Sequence, residues 1–134
     1  MLEKILSDLY QEFQLGTPPE KNEKGIYQVS LTKQLQITIT KLDPGYYFLA
    51  KLGHPPKERT EEFYIYMMRA NFLGQGTGKS VIGLDAEEKD LTLAFTIPYE
   101  VNYLEFKEKL EDFVNYTEYW REEIKKFKEL KSPL

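Results

Sequence analysis

The feature that most constrains this 134-residue chain is an apolar, largely aromatic stripe near its C-terminal end. The stripe steps by alternating three and four residues through Tyr103, Phe106, Leu110, Phe113, Thr117, Trp120, Ile124 and Phe127. This spacing is that of one face of an α-helix. Asn102 followed three residues later by Glu105 is typical of a helix start, so the sequence predicts a helix from Asn102 to about Leu130. So long a stripe has to be covered, and we expect a β-sheet to cover it.

Five strand-like segments can supply that sheet. They either alternate apolar with polar residues or are apolar on both faces, as strands of a packed sheet are. The segments are 26–31, 35–40, 46–52, 80–85 and 91–97. Short polar stretches at 32–34 and 85–90 predict hairpin turns, and Pro44 with Gly45 marks another turn. The strands therefore pair antiparallel.

Two further helices are predicted. The first carries Leu2, Ile5, Leu6, Leu9 and Phe13 on one face and is stopped by Gly16 and the following prolines. We expect most of this face to pack on the sheet, with a share left for a partner. The second, from about 59 to 73, has Phe63, Met67 and Ala70 on one face and ends at Gly74.

The order of elements gives the fold class. Helix, three strands, helix, two strands and helix predict an α+β domain over residues 1–134, with an antiparallel, twisted sheet of about five strands and three helices (α-β-β-β-α-β-β-α). Between the first helix and the first strand, residues 17–24 predict an exposed, mobile linker.

Composition argues against several function classes. A net charge of −4 argues against a nucleic-acid surface, which needs clustered basic residues. Without cysteine and with His54 alone, the chain has no Cys/His zinc site and no cysteine nucleophile. The charged N-terminal residues resemble neither a signal peptide nor a membrane span, so we expect a cytoplasmic protein. The sequence predicts no catalytic, cofactor-binding or metal-binding residue.

One segment imitates a phosphate-binding loop. The residues 74–80 read GQGTGKS, but in a P-loop four residues separate the first glycine from the Gly-Lys pair, and Leu73 occupies the position of that first glycine. A P-loop also follows a strand and opens a helix, whereas this loop follows a predicted helix and precedes a strand. We therefore expect a turn with a solvated Lys79.

The residues resemble a known family. The stretches 46–55 (YYFLAKLGHP), 68–78 (MRANFLGQGTG) running into 81–85 (VIGLD), and 113–122 (FVNYTEYWRE) are similar to class I type III secretion chaperones of the CesT/SycE kind. The resemblance covers nearly the whole chain, including the order of elements. It implies a cytoplasmic homodimer of a Gram-negative bacterium, with neither a reaction nor a cofactor. Such a chaperone holds the N-terminal segment of a secreted effector in an extended, export-competent form.

The resemblance also implies two sets of contact residues. The dimer interface of the family maps onto the second helix and the following strand, at Phe63, Tyr66, Met67, Ala70, Val81 and Gly83. Gly83 allows close backbone approach, and methionine offers an adaptable apolar surface.

Effector segments bind by adding a strand to a sheet edge and placing apolar side chains in pockets. That site maps onto Leu2, Leu6, Leu9, Phe13, Ile26, Tyr27 and Val29. The linker at 17–24 is a departure from the family that bears on these edge contacts.

The sequence leaves open the identity of the partners and two other classes of function. The partner copy could be a sister chaperone, and the secretion ATPase could be a further partner. A small-ligand-binding or enzymatic domain would use the loop 74–80. A regulatory adaptor of the same fold would bind a folded partner.

Overall fold

The computed structural model describes residues 2–74, 76, 78–87 and 89–129. The elements in chain order are the helix α1 (Leu2–Glu12), the strands β1 (Ile26–Ser30), β2 (Gln36–Leu42) and β3 (Gly45–Gly53), the helix α2 (Thr60–Asn71) with a 3-10 turn (Phe72–Gly74), the strands β4 (Val81–Leu84) and β5 (Leu91–Ile97), and the helix α3 (Tyr103–Glu129). The strands form one sheet in the order β1-β2-β3-β5-β4. The expected α+β class is confirmed, whereas the homodimer stays a prediction.

The predicted ends of these elements are off by no more than two residues where the structure describes them. The expected last helical residue, Leu130, lies outside the described part of the chain. Gly74 has a φ of 70°, the left-handed conformation expected where α2 terminates. The amide of Glu105 donates to the side-chain oxygen of Asn102 at 2.8 Å, which confirms the predicted cap of α3.

The described residues form two compact units. Unit 1 holds those of Met1–Ala50 and Phe95–Glu111, and unit 2 holds those of Lys51–Ala94 and Asp112–Leu134. The elements β3, β5 and α3 each have residues in both units. The prediction of a single domain over 1–134 stays a prediction.

The register of unit 1 places apolar residues on one face of the sheet. Tyr27 pairs with Ile39, and Val29 pairs with Ile37. Because side chains alternate along a strand, these four lie on the same face, and all four are buried. Phe48, opposite Ile39 on β3, extends that face. The core of unit 1 is built on it.

The apolar stripe of α3 is buried from Phe106 to Ile124 and half-buried at its ends, Tyr103 and Phe127. Its two halves have different cover. In unit 1, the ring of Phe106 packs edge-on against Phe48 at 5.3 Å between ring centroids, so the sheet is the cover there. In unit 2, Trp120 packs against Tyr66 of α2 at 5.5 Å, and Phe127 against Phe63 of α2 at 5.1 Å. A helix therefore covers part of the stripe for which only a sheet was expected.

Candidate partner-binding surfaces

The residues of α1 predicted to bind an effector lie mostly in the core of unit 1. Leu2, Leu6 and Leu9 are buried, and their side chains pack inside the unit. Phe13, just beyond the end of α1, is 47% exposed. Of this set on α1, Phe13 alone presents a large apolar surface to solvent.

Ionic and aromatic groups surround Phe13. Glu12 accepts hydrogen bonds from the hydroxyl of Tyr103 at 2.6 Å and from the ammonium group of Lys107 at 2.9 Å. These two donors hold the pKa of the Glu12 carboxyl below its usual value. The Lys107 ammonium also lies 6.0 Å from the centre of the Phe13 ring. The exposed ring is thus fixed beside a cation whose charge is already paired.

The predicted residues of β1 adjoin α1. Tyr27 and Val29 are buried, and Ile26 is half-buried. The hydroxyl of Tyr27 donates to a carboxyl oxygen of Glu3 at 2.5 Å, which joins β1 to α1. Chiefly because of this hydrogen bond, the pKa of Glu3 falls to about 2. Burial and the same carboxylate raise the pKa of Tyr27 to about 12.

The outer edge of β1 is partly occupied by the chain itself. In an antiparallel sheet, the N–H and C=O groups of alternate residues point away from the paired strand. The Ile26 N–H donates to the side chain of Asn22 at 3.0 Å, and the Ser30 N–H donates to the hydroxyl of Tyr10 at 3.2 Å. Gln28, midway between them, has the same outward orientation. An added strand would meet Gln28 first, between two occupied positions.

The helix α2 is apolar on two faces. Its inner face carries Phe63, Met67 and Ala70, all predicted for the dimer interface, and these side chains are buried within unit 2. The opposite face carries Ile65 and Met68, and it continues into Phe72; Met68 is 71% and Phe72 65% exposed. A role of Phe63, Met67 and Ala70 at a dimer interface stays a prediction. The exposed outer face was not among the predicted interface residues, although the spacing at 65, 68 and 72 is helical.

The strand β4 adds exposed apolar residues to those of α2. Val81 is exposed on the same face of β4 as Gly83, and we call Val81 with Ile65, Met68 and Phe72 the α2–β4 surface. Leu84 is also exposed, but its side chain lies on the other face of the strand. A Cβ atom placed on Gly83 would have no heavy atom within 4 Å. Tyr66, also predicted for the interface, is 36% exposed and packs against Trp120. For Tyr66, Val81 and Gly83, a role in dimerisation stays a prediction.

The loop that imitates a P-loop has a structural explanation in its described part. The Lys79 amide donates to the Gly74 carbonyl at 3.1 Å, and Gly78 lies against the ring of Tyr116. Lys79 is exposed, as expected. The loop precedes a strand, so it lacks the N–H groups of a helix start that hold phosphate.

Two negative findings concern the described residues alone. Among them, no three His, Asp or Glu side chains come together in an arrangement that could hold a metal ion. No helix within the described ranges is long and apolar enough to cross a membrane.

Comparison with known proteins finds relatives of similar length. A Chlamydia pneumoniae protein is 26% identical over 126 residues, which is 92% of this chain and 96% of the relative. One chain of the ExsC–ExsE complex superposes with a TM-score of 0.76 at 14% identity, over 92% of this chain and 92% of the other. One chain of the HopA1–SchA chaperone–effector complex has a TM-score of 0.69 at 14% identity, over 90% and 93%. At such identities, the structural likeness shows the fold alone. The model of the Tir chaperone protein (CesT) family matches residues 4–121.

Proposed function

Because the chain belongs to the Tir chaperone protein (CesT) family and is thus a type III secretion chaperone, we propose that it works as a cytoplasmic homodimer. The dimer binds the N-terminal segment of a secreted effector and keeps it extended and competent for export. The chaperone–effector complexes of the same fold support this reading. The chain carries out no reaction and uses no cofactor in this proposal.

The observation that supports a homodimer is the α2–β4 surface. Four large apolar side chains on α2, the turn after it and one face of β4 are exposed, with Met68 at 71% and Phe72 at 65%. Groups of exposed apolar side chains mark interaction sites in soluble proteins when they form a patch. Burying one such side chain contributes about 1.5–3 kcal/mol, so covering several of them favours association strongly. A second copy is the partner we propose for this surface.

Gly83 is a second observation that supports a contact between two copies at this surface. Nothing within unit 2 requires a glycine there, since an added Cβ atom meets no neighbour within 4 Å. Its φ is also outside the left-handed range that favours glycine. A glycine in the interior of a strand weakens the strand unless another backbone approaches closely. In the proposed dimer, the partner copy makes that close approach at Gly83.

The effector site lies in unit 1. Phe13 offers an exposed ring, Ile26 is half-buried, and Gln28 offers an outward-facing N–H and C=O for an added strand. Strand addition takes its affinity from such main-chain bonds and its selectivity from side-chain pockets. The buried side chains predicted for this site form a packed base that holds these groups in place; they are Leu2, Leu6, Leu9, Tyr27 and Val29. Asn22 has to release Ile26 before a strand can extend along β1 in that direction.

Recovery of the effector from the native host tests this function. The protein is purified under gentle lysis, and the complex is treated with protease before mass spectrometry. We expect a secreted protein in which about 50–100 residues near its N-terminus resist cleavage, as for a segment ordered by wrapping a large surface. A matched preparation of the Phe13→Asp variant should recover less of it. A bound protein that is folded and protected throughout would favour a regulatory adaptor and contradict the chaperone proposal.

A further inference from the structure

The side chain of Asn71 is hydrogen-bonded to the outer edge of the strand β4. The carboxamide oxygen of Asn71 accepts from the N–H of Ile82 at 2.7 Å, and its nitrogen donates to the C=O of Ile82 at 2.8 Å. A carboxamide has the same donor and acceptor groups as a peptide unit. Asn71 therefore gives Ile82 the pair of bonds that a neighbouring strand would give.

The position of Ile82 decides what the rest of this edge can do. β4 pairs with β5 through Val81 with Ala94 and Gly83 with Thr92 on either side of Ile82. In an antiparallel ladder, the residues whose main-chain groups point outward occur at every second position. Leu84 therefore points outward like Ile82. An incoming strand needs consecutive outward positions, and one of the two in this four-residue strand is already taken.

We propose that Asn71 closes the β4 edge, so that a second copy docks on the α2–β4 surface through side chains and not by pairing its main chain with β4. This inference rests on the proposed homodimer and specifies its mode of contact. It also makes Asn71 a positioning residue, because it holds the end of α2 beside β4 while touching no partner itself.

The surroundings of Asn71 keep its carboxamide in place. Asn71 is the last residue of α2, and Met67 and Ala70 anchor this end of the helix in the core of unit 2. The Ala70 carbonyl accepts from the Gly76 N–H at 3.0 Å, and the Phe72 N–H donates to the Arg69 carbonyl. The backbone on both sides of Asn71 is thus hydrogen-bonded. The comparable Asn22 at the β1 edge sits in a linker without helix or strand, so the two edges differ in how readily they open.

Hydrogen exchange of the wild-type protein tests the closed edge without any substitution. We expect the amide of Ile82 to exchange at least about tenfold more slowly than that of Leu84, because the first is bonded to Asn71 and the second has no acceptor among the described residues. Equal rates at the two amides would overturn the inference. Slow exchange at Leu84 in a dimeric protein would overturn it too, since that is the result of main-chain pairing. A monomeric wild type would contradict the proposed homodimer instead.

The variant Asn71→Leu tests the consequence for assembly. Leucine has a similar shape but cannot bond Ile82, so the edge becomes available to other strands. We expect the weight-average mass from light scattering to rise with concentration to at least about twice that of the wild type. Asn115→Leu, the same change at an exposed position of α3, should keep the wild-type mass. A folded Asn71→Leu protein with the wild-type mass would overturn the inference, and if the variant fails to fold, the exchange rates decide.

Discussion

Trp120 donates its indole N–H to the carbonyl oxygen of Gly76 at 2.8 Å. This bond joins α3 to the loop between α2 and β4 within unit 2. Trp120 is the only tryptophan of the chain and is almost fully buried, with Tyr66 and Tyr119 packed against it. The loop that imitates a P-loop is therefore held by a core side chain, and its described residues have a structural role.

The substitution Trp120→Phe should lower the free energy of unfolding by about 1–3 kcal/mol. The Gly76 carbonyl loses its donor, and an unsatisfied polar group costs about that much when it is kept from water. Urea unfolding followed by circular dichroism measures the change, since the variant has no tryptophan fluorescence. Tyr99→Phe is the control, because Tyr99 is 46% exposed and its substitution should change stability little. Equal stability of wild type and Trp120→Phe would contradict the assigned bond.

Alanine substitutions at two glycines of unit 1 would measure backbone strain and steric clash separately. Gly16 and Gly45 have φ values of 93° and 107°, but a Cβ atom meets nothing at Gly16 and would lie 2.0 Å from the Ile97 carbonyl oxygen at Gly45. We expect Gly16→Ala to cost about 1–2 kcal/mol through strain alone. Gly45→Ala should cost at least about 3 kcal/mol, because overpacking adds to the strain. Equal losses of stability in the two variants would show that the turn before β3 is looser than described.

The bond between Tyr27 and Glu3 predicts a pH dependence of stability. The pKa of Glu3 is about 2 in the folded protein against an ordinary value of 4.5, so between these values the unfolded chain binds the additional proton. Its contribution to stability is therefore complete above about pH 4.5 and is lost as the pH falls towards 2. Tyr27→Phe removes the donor, and its stability deficit against wild type should shrink over that window. Unfolding curves of both proteins at several pH values measure it, and a constant deficit would contradict the assignment.

The helix α3 shows what periodicity alone can predict. Its stripe and its cap at Asn102 are both observed, because a 27-residue amphipathic helix encodes its buried side in the spacing of its residues. Its cover was predicted only in part. Periodicity identifies a face that must be buried but says nothing about which element buries it, and in unit 2 that element includes α2.

The helix α2 shows where the pattern is ambiguous. Both of its faces carry apolar residues, so periodicity cannot tell the core face from the exposed one. Phe63, Met67 and Ala70, which the family resemblance assigned to the interface, lie on the stronger stripe, and a stronger stripe is ordinarily the buried one. The weaker stripe through Ile65 and Met68 is the one left exposed.

The two strand edges could not be read from the sequence. Asn22 and Asn71 occupy positions where an asparagine would ordinarily be assigned to a turn or a helix end. Their partners, Ile26 and Ile82, are four and eleven residues away, and the bonds form only once the strands are in place. Tyr10 and Ser30 are a third such pair, formed between α1 and β1.

The molar masses of two matched variants in solution test the central claim, a homodimer formed through the α2–β4 surface, most directly. Val81 belongs to the α2–β4 surface and Leu104 lies on α3 in unit 1, yet both are 58% exposed, so Val81→Asp and Leu104→Asp place the same charge at equally exposed positions. A carboxylate inside an apolar interface costs several kcal/mol, which raises the dimer Kd at least about hundredfold. By light scattering, the account predicts a dimeric wild type, a dimeric Leu104→Asp and a monomeric, folded Val81→Asp. A Val81→Asp protein that remains a dimer at micromolar concentration would contradict it.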